Sequence, residues 1–182
     1  MHPFLTTYTT VAVPKLTAKR SYSSTYLIPR VTKVVLNMGI GDLQGNGKAV
    51  EDATLLLTQI SGQKPVLTKA RKAISGFKLR AGMEVGLKVT LRGERMHDFI
   101  TKFSTVTLPR TRDFRGLKPT AITADGMLNV GIKDTIIFPE ASQDGVGHGV
   151  QVTLVSTARS KEEAFTLFSA LGFPIQSAAE NA

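Results

Sequence analysis

Residues 63–95, QKPVLTKARKAISGFKLRAGMEVGLKVTLRGER, carry nine Lys/Arg (Lys64, Lys69, Arg71, Lys72, Lys78, Arg80, Lys88, Arg92 and Arg95) against Glu84 and Glu94. That excess of +7 is most of a chain net charge of +9. Cations at this density do electrostatic rather than covalent chemistry. Each Lys or Arg brought to a phosphate releases condensed counterions and grips the backbone without a deep pocket. The partner this predicts is RNA or DNA laid across a surface. The remaining charge agrees: residues 1–118 hold twenty Lys/Arg and seven Asp/Glu, residues 119–182 three and seven, so the polyanion meets the first two thirds.

Covalent chemistry finds little support. His2, His97 and His148 are scattered and suggest neither a metal cluster nor a Ser-His-Asp set. The chain has no Cys, which removes disulfides and thiolate metal sites and fits a reducing compartment. Glu51/Asp52 and Glu162/Glu163 read as helix-start charges rather than acid/base pairs. Gly39, Gly41, Gly45 and Gly47 follow an apolar run as a phosphate cradle would. The dinucleotide fingerprint fails at Gln44, and the P-loop pattern fails at Asp42 and Ala49. A nucleotide-binding enzyme using the turn from Gly39 to Lys48 is therefore the second reading, and no cofactor or metal is expected.

The cations need elements to hold them. Over 31–38, Val34, Leu36 and Met38 alternate with Lys33, Val35 and Asn37, which predicts a strand with one polar side. A helix over 48–61 places Ala49, Val50, Ala53, Leu56, Leu57 and Ile60 on one stripe and closes at Gly62. Residues 64–82, punctuated by Pro65, Gly76 and Gly82, show no period and read as a long, basic, partly mobile loop. Over 85–92, Val85, Leu87, Val89 and Leu91 oppose Gly86, Lys88, Thr90 and Arg92, a half-buried strand with a small, cationic outer face. A helix over 94–106 carries Met96, Phe99, Ile100 and Phe103 inward and stops at Pro109.

Arg110, Arg112, Arg115 and Lys118 then surround Asp113 and Phe114 without periodicity. This is a solvated basic loop or a second RNA contact, with Phe114 packed inward or stacked on a base. Strands are expected over 126–133 and 150–157, with 135–138 extended and poor local order over 141–149. The last helix opens on the capping box Ser160-Lys161-Glu162-Glu163, turns Ala164, Leu167, Phe168 and Leu171 inward, and ends at Gly172 and Pro174.

Helical stripes that need a cover and strands with one apolar face predict a two-layer α+β fold. Helices lie on one side of a mostly antiparallel sheet, and Lys33, Asn37, Lys88 and Thr90 project from an open basic face. Residues 1–182 are expected to form one RNA-binding domain with a basic arm (1–27), a long basic loop (64–84) and a frayed tail (176–182). No acid precedes Asp42, a composition shared by transit peptides and by arms that order on nucleic acid. Pro3, Pro14 and Pro29 are expected to interrupt any amphipathic helix there. No apolar run reaches the roughly 18 residues of a membrane span, so no membrane partner is expected.

IPRVTKVVLNMGIGD (28–42), SGQKPVLTKARKAISGFKLRAGMEVGLKVTLRGERMHDFI (61–100), LPRTRDFRGL (108–117) and IIFPE (136–140) resemble the bacterial-type ribosomal protein L5 family, the 5S rRNA-binding proteins of the large subunit's central protuberance. The resemblance covers residues 8–176, which removes the transit-peptide reading. It implies a structural, non-catalytic constituent of a cytoplasmic, bacterial-type ribosome. It also implies that Asn37, Gln63 and Thr90 touch 5S rRNA; together with the clustering of charge, this predicts phosphate contacts from Lys64, Lys69, Arg71, Lys72, Lys78, Arg80, Lys88 and Arg92, with Lys33 also on the rRNA-binding surface. The segment Ala73, Ile74, Ser75, Gly76, Phe77, Lys78, Leu79, Arg80, Ala81 and Gly82 would approach P-site tRNA. Further implied partners are 23S rRNA, neighbouring ribosomal proteins and a small-subunit head protein. ASQDGVGHG (141–149) departs from the acidic, tyrosine-bearing segment of many members, which puts the contacts of that segment in question.

Overall fold

The computed structural model describes residues 2–43, 46–77, 79–112, 114–141 and 149–176. Its elements run α1 (Pro3–Thr7), a π-helical turn (Tyr8–Ala12), α2 (Val13–Lys19), β1 (Val31–Gly39), α3 (Gly47–Ser61), β2 (Val66–Lys69), β3 (Glu84–Leu91), α4 (Gly93–Lys102), β4 (Leu128–Ile132), β5 (Val150–Ser156) and α5 (Lys161–Ala170). The fold is α+β, with five strands in the order β2-β3-β1-β5-β4. The sheet is antiparallel. β2 and β3 pair that way directly, Ile40 just past β1 donates its N–H to Val85 at the start of β3, Thr157 after β5 donates to Arg30 before β1, and Thr153 of β5 bonds Asn129 of β4.

Packing divides the chain into two compact units: Met1–Val34, Arg92–Val130 and Thr153–Ala182 in the first, Val35–Leu91 and Gly131–Val152 in the second. In the second, Leu36, Met38, Leu87 and Val89 are buried on one side of their strands, and α3 covers that side with Ala53, Leu57 and Ile60. Gly62 closes α3 at φ 65°, the left-handed conformation that a residue without Cβ adopts freely. Ala49 and Val50, placed on the core stripe by their spacing, are only half-buried in the first turn of α3.

The first unit is built on aromatic and aliphatic packing: Phe99 stacks on Phe103 at 5.6 Å, and Phe168 meets Phe173 edge-on at 5.8 Å. Ser160 caps α5 by accepting the Glu163 N–H, as the capping box predicts, while the Glu163 carboxylate reaches back to the Arg159 N–H and also pairs with Arg20 at 2.7 Å.

The structure corrects several expectations. Residues 3–19 are helical in spite of their prolines. Pro3 sits where a helix's first N–H has no partner, and just ahead of Pro14 the chain passes through a π turn in which Val13 bonds back to Tyr8. Thr135–Ile137 is a 3-10 turn rather than extended chain. The helix expected to end near residue 106 keeps α geometry only to Lys102 and finishes in a π turn, Phe103–Thr107, which buries Phe103 and Thr107. Of the segment expected to be poorly ordered, residues 142–148 lie outside the described residues, as does most of the expected tail, 177–182.

Unit one also holds a titratable pair. The His97 ring stacks on Phe4 at 4.8 Å, the His2 ring lies 5.5 Å away, and His2 Nε2 is 2.6 Å from Asp98. Burial, then the neighbouring His2, hold the His97 pKa below the usual 6.5, against the pull of Asp98 and Glu94. A depressed folded pKa means that the unfolded chain takes up this proton first. The stability contributed here is therefore complete above about pH 6.5 and declines as pH falls from there toward the lower folded value. Melting temperatures read at about pH 7.5, 6.5 and 5.5 should fall across that window. In His97→Phe the fall should be shallower, and an equal fall in both proteins would remove the role assigned to His97.

Candidate nucleic-acid interface

From Leu87 onward β3 presents its two sides as the alternation predicts, whereas Val85 is only half-buried and Gly86, expected on the outer side, is buried beneath its neighbours. Leu87, Val89 and Leu91 are buried, Lys88 is exposed and Thr90 half-exposed. β2 pairs with it in the register Val66↔Lys88, Leu67↔Leu87 and Thr68↔Gly86, so Val66 and Thr68 share the outer side with Gly86 and Lys88. A register shift between Thr68 and Lys69 marks a bulge at the far end of this pairing.

Gly86 is what makes this surface flat. A Cβ built on it would lie 2.9 Å from Thr68 Oγ1, 3.1 Å from the Met38 carbonyl oxygen and 3.9 Å from Asn37 Oδ1. Thr68 Oγ1 and the Met38 carbonyl oxygen thus crowd this position closely enough that a Cβ would force one of them to move, and Asn37 lies at its edge. Glycine inside a strand commonly marks such a close approach. The result is a surface on which hydroxyl, amide and ammonium groups stand around Gly86 with the exposed Val66 at its edge, able to meet sugar hydroxyls, base edges and phosphates.

Gln63 and Lys64 lead into β2. The Gln63 backbone is pinned by buried Ser61, whose hydroxyl is 2.8 Å from the Gln63 carbonyl oxygen and 2.6 Å from that of Leu57. Gln63 is half-exposed and Lys64 exposed. Lys69, Arg71, Lys72 and Arg80 are all exposed as well. Among the described residues none of these cations, nor Lys88, forms an ion pair; the pairs His2–Asp98 and Arg20–Glu163 lie elsewhere.

The segment expected to be a long, partly mobile loop is a hairpin finger. Its base is β2 itself, then Ala70 and Met83 (N–H to O, 2.8 Å) and Gly82 and Ala70 (2.9 Å). Its tip is closed by Ile74 and Leu79, which exchange two backbone bonds around a 3-10 turn, Ser75–Phe77. Four residues of strand are too few to show a period against Pro65 on one side and the bulge on the other, so the sequence hides them. Ala73, Ser75, Gly76, Ala81 and Gly82 are exposed, Leu79 is half-exposed, and Phe77 is 75% and Ile74 47% exposed at the tip. Apolar side chains held out among cations are suited to stacking or wedging against nucleotides. Lys78 lies outside the described residues.

Other predicted residues are placed separately. Lys33 is half-exposed and Arg92 exposed, both within the first unit. Arg110, Arg112, Arg115 and Lys118 are exposed there too, and Phe114 is half-buried. Their loop is stapled to the C-terminal segment: Leu117 and Gln176 bond across a parallel bridge at Ile175, and the Gln176 side chain donates to the Arg115 carbonyl at 2.8 Å. Where the Gly39–Lys48 turn meets α3, Asn46 Oδ1 accepts the Ala49 N–H, which takes one of the helix-start donors a phosphate would use. Sequence reasoning missed Thr68 as part of the surface; the isolated Gly86 in an otherwise alternating strand was the signal that something approaches there.

Comparison with known proteins agrees in both halves of the chain. A family model described as ribosomal protein L5 matches residues 24–80, and one described as the ribosomal L5P family C-terminus matches residues 84–175. Large ribosomal subunit protein uL5 of Lactobacillus delbrueckii subsp. bulgaricus is 46% identical over 173 residues, 94% of this chain and 96% of that protein. The proteins of the same name from Streptococcus pyogenes serotype M49 and Lacticaseibacillus casei are each 47% identical over 169 residues, 92% of this chain and 94% of theirs.

Proposed function

The chain belongs to the ribosomal protein L5 family, a bacterial-type protein of the large ribosomal subunit with a structural rather than enzymatic part in translation, and on that premise we propose that its outer β2–β3 surface and finger bind 5S rRNA and help to attach it to 23S rRNA. The observation that carries this reading is the surface around Gly86, where Asn37 and Lys88 are exposed, Thr68 and Thr90 half-exposed, and β2 runs on into a cationic finger. Phosphate contacts from Lys64, Lys69, Arg71, Lys72 and Lys88 would supply most of the affinity. Asn37, Gln63 and Thr90 would supply selectivity through groups that donate and accept at fixed positions. The finger tip, with Phe77 and Ile74 outward, is the part we assign to P-site tRNA, and Arg110, Arg112, Arg115 and Lys118 to a second rRNA contact. A contact to a small-subunit head protein completes the reading.

The test is which RNA accompanies the tagged chain from cells: 5S rRNA is expected in about equal amount, and its absence from a chain recovered with large subunits would overturn the assignment. Asn37→Ala separates selectivity from charge. It should weaken 5S rRNA by about 1–3 kcal/mol, the scale of an unmade buried hydrogen bond, with little effect on a generic RNA duplex. Equal losses on both RNAs would remove Asn37 from the selective set.

A further inference from the structure

A groove of about 820 Å³ opens in the second unit between the outer side of α3 and the β2–β3 hairpin. Its apolar lining includes Val50, Leu55, Leu67 and Met83, with Leu55 59% exposed and Leu67 37%. Leu67 points to the opposite side of β2 from Val66 and Thr68, so the groove and the Gly86 patch lie on opposite sides of the hairpin, with Lys64 at the edge of the groove as the one proposed phosphate contact that the two share. Exposed aliphatic side chains gathered in one concavity mark an interaction site rather than ordinary surface.

The polar lining narrows what would fit. Thr54 and Thr58 spend their hydroxyl protons on the Val50 and Thr54 carbonyls, and Asn46 spends its oxygen on capping the helix. These groups offer little to a small polar ligand. What remains is apolar surface flanked by carboxylates: residues 35–91 hold eight Lys/Arg and only four acids, and two of those four, Glu51 and Glu84, line this groove beside a single cation, Lys64. A polyanion is repelled where the acids gather. The geometry points to a docking site for a basic segment of another protein of the particle, with an aliphatic or aromatic side chain seated against Leu55 and Leu67 and Lys or Arg against Glu51 and Glu84.

This rests on the functional reading above, and the experiment separates the two. A photo-reactive benzoylphenylalanine replaces Leu55 in one strain and Lys88 in another, and large subunits are purified and irradiated. The residue at 88 should link to rRNA. The residue at 55 should link to one identified protein segment of net positive charge, and Glu51→Lys with Glu84→Lys should lower that yield by about tenfold. Linkage of residue 55 to rRNA, linkage to nothing, or a yield indifferent to the double reversal would overturn the docking site while leaving the rRNA assignment in place. A chain missing from large subunits would overturn both.

Discussion

Replacing Lys64, Lys69, Arg71 and Lys88 together by Gln is expected to lower affinity for 5S rRNA by about three orders of magnitude at about 0.1 M salt. The reason is additive. Each phosphate neutralised contributes about 0.9 to the slope of log affinity against log salt on a duplex and about 0.7 on a single strand, so four lost contacts flatten it by about three to four. Stability should hardly change, because the four side chains are exposed and, among the described residues, pair with no acid of the chain. Binding titrated from about 50 to 200 mM salt, beside a melting curve, tests both halves. A quadruple variant that melts normally and keeps the parent slope would show that RNA sits elsewhere.

Gly86→Val should remove binding by another route, with the charges intact. The new Cβ would enter at 2.9 Å from Thr68 Oγ1 and 3.1 Å from the Met38 carbonyl oxygen. Thr68 can rotate away, but the Met38 oxygen is backbone of the strand beside β3 and cannot. Valine's preference for strands, at most about 1 kcal/mol, favours the substitution, whereas forcing extra volume into a packed site costs about 1–3 kcal/mol. The second effect wins, so β3 must shift and the flat patch is lost. We expect a lower melting temperature together with weaker 5S rRNA binding that keeps most of its salt slope. Gly39→Ala, where a Cβ meets nothing within 4 Å, is the matched control and should leave both unchanged. Parent-like melting and binding in Gly86→Val would mean that the close approach of Thr68 has no part in the surface.

Much of the fold was legible because its signals are local. β1, β3, α3 and α5 were read nearly to their ends from alternation or from a stripe with punctuation, since burial of one face imposes its period directly on the residue order. The failures are equally physical. β2 is four residues long and owes its existence to β3; the N-terminal helices depend on a π turn that absorbs Pro14; and Thr135–Ile137 has strand-like residues but turns as a 3-10 helix. In each case the deciding partner lies outside the window in which a period can be counted.

For the candidate interface the division is the same. Charge needs no fold to be counted, so residue order alone determined that the net positive charge gathers in the first two thirds of the chain, that Lys88 and Thr90 share a side of a strand, and that no nucleotide-binding pattern is complete. Which groups stand beside them was decided only in three dimensions. Thr68 and Asn37 flank Gly86 from either side because β2 and β1 flank β3 in the sheet, and the finger is a hairpin because Ala70, Met83, Ile74 and Leu79 find one another's backbone groups. The acid-rimmed groove likewise exists only once α3 lies against the hairpin and brings Glu51 toward Glu84. Proximity between residues far apart in the chain is a property of packing, and hydrogen bonds and van der Waals contacts act over distances that sequence separation does not record.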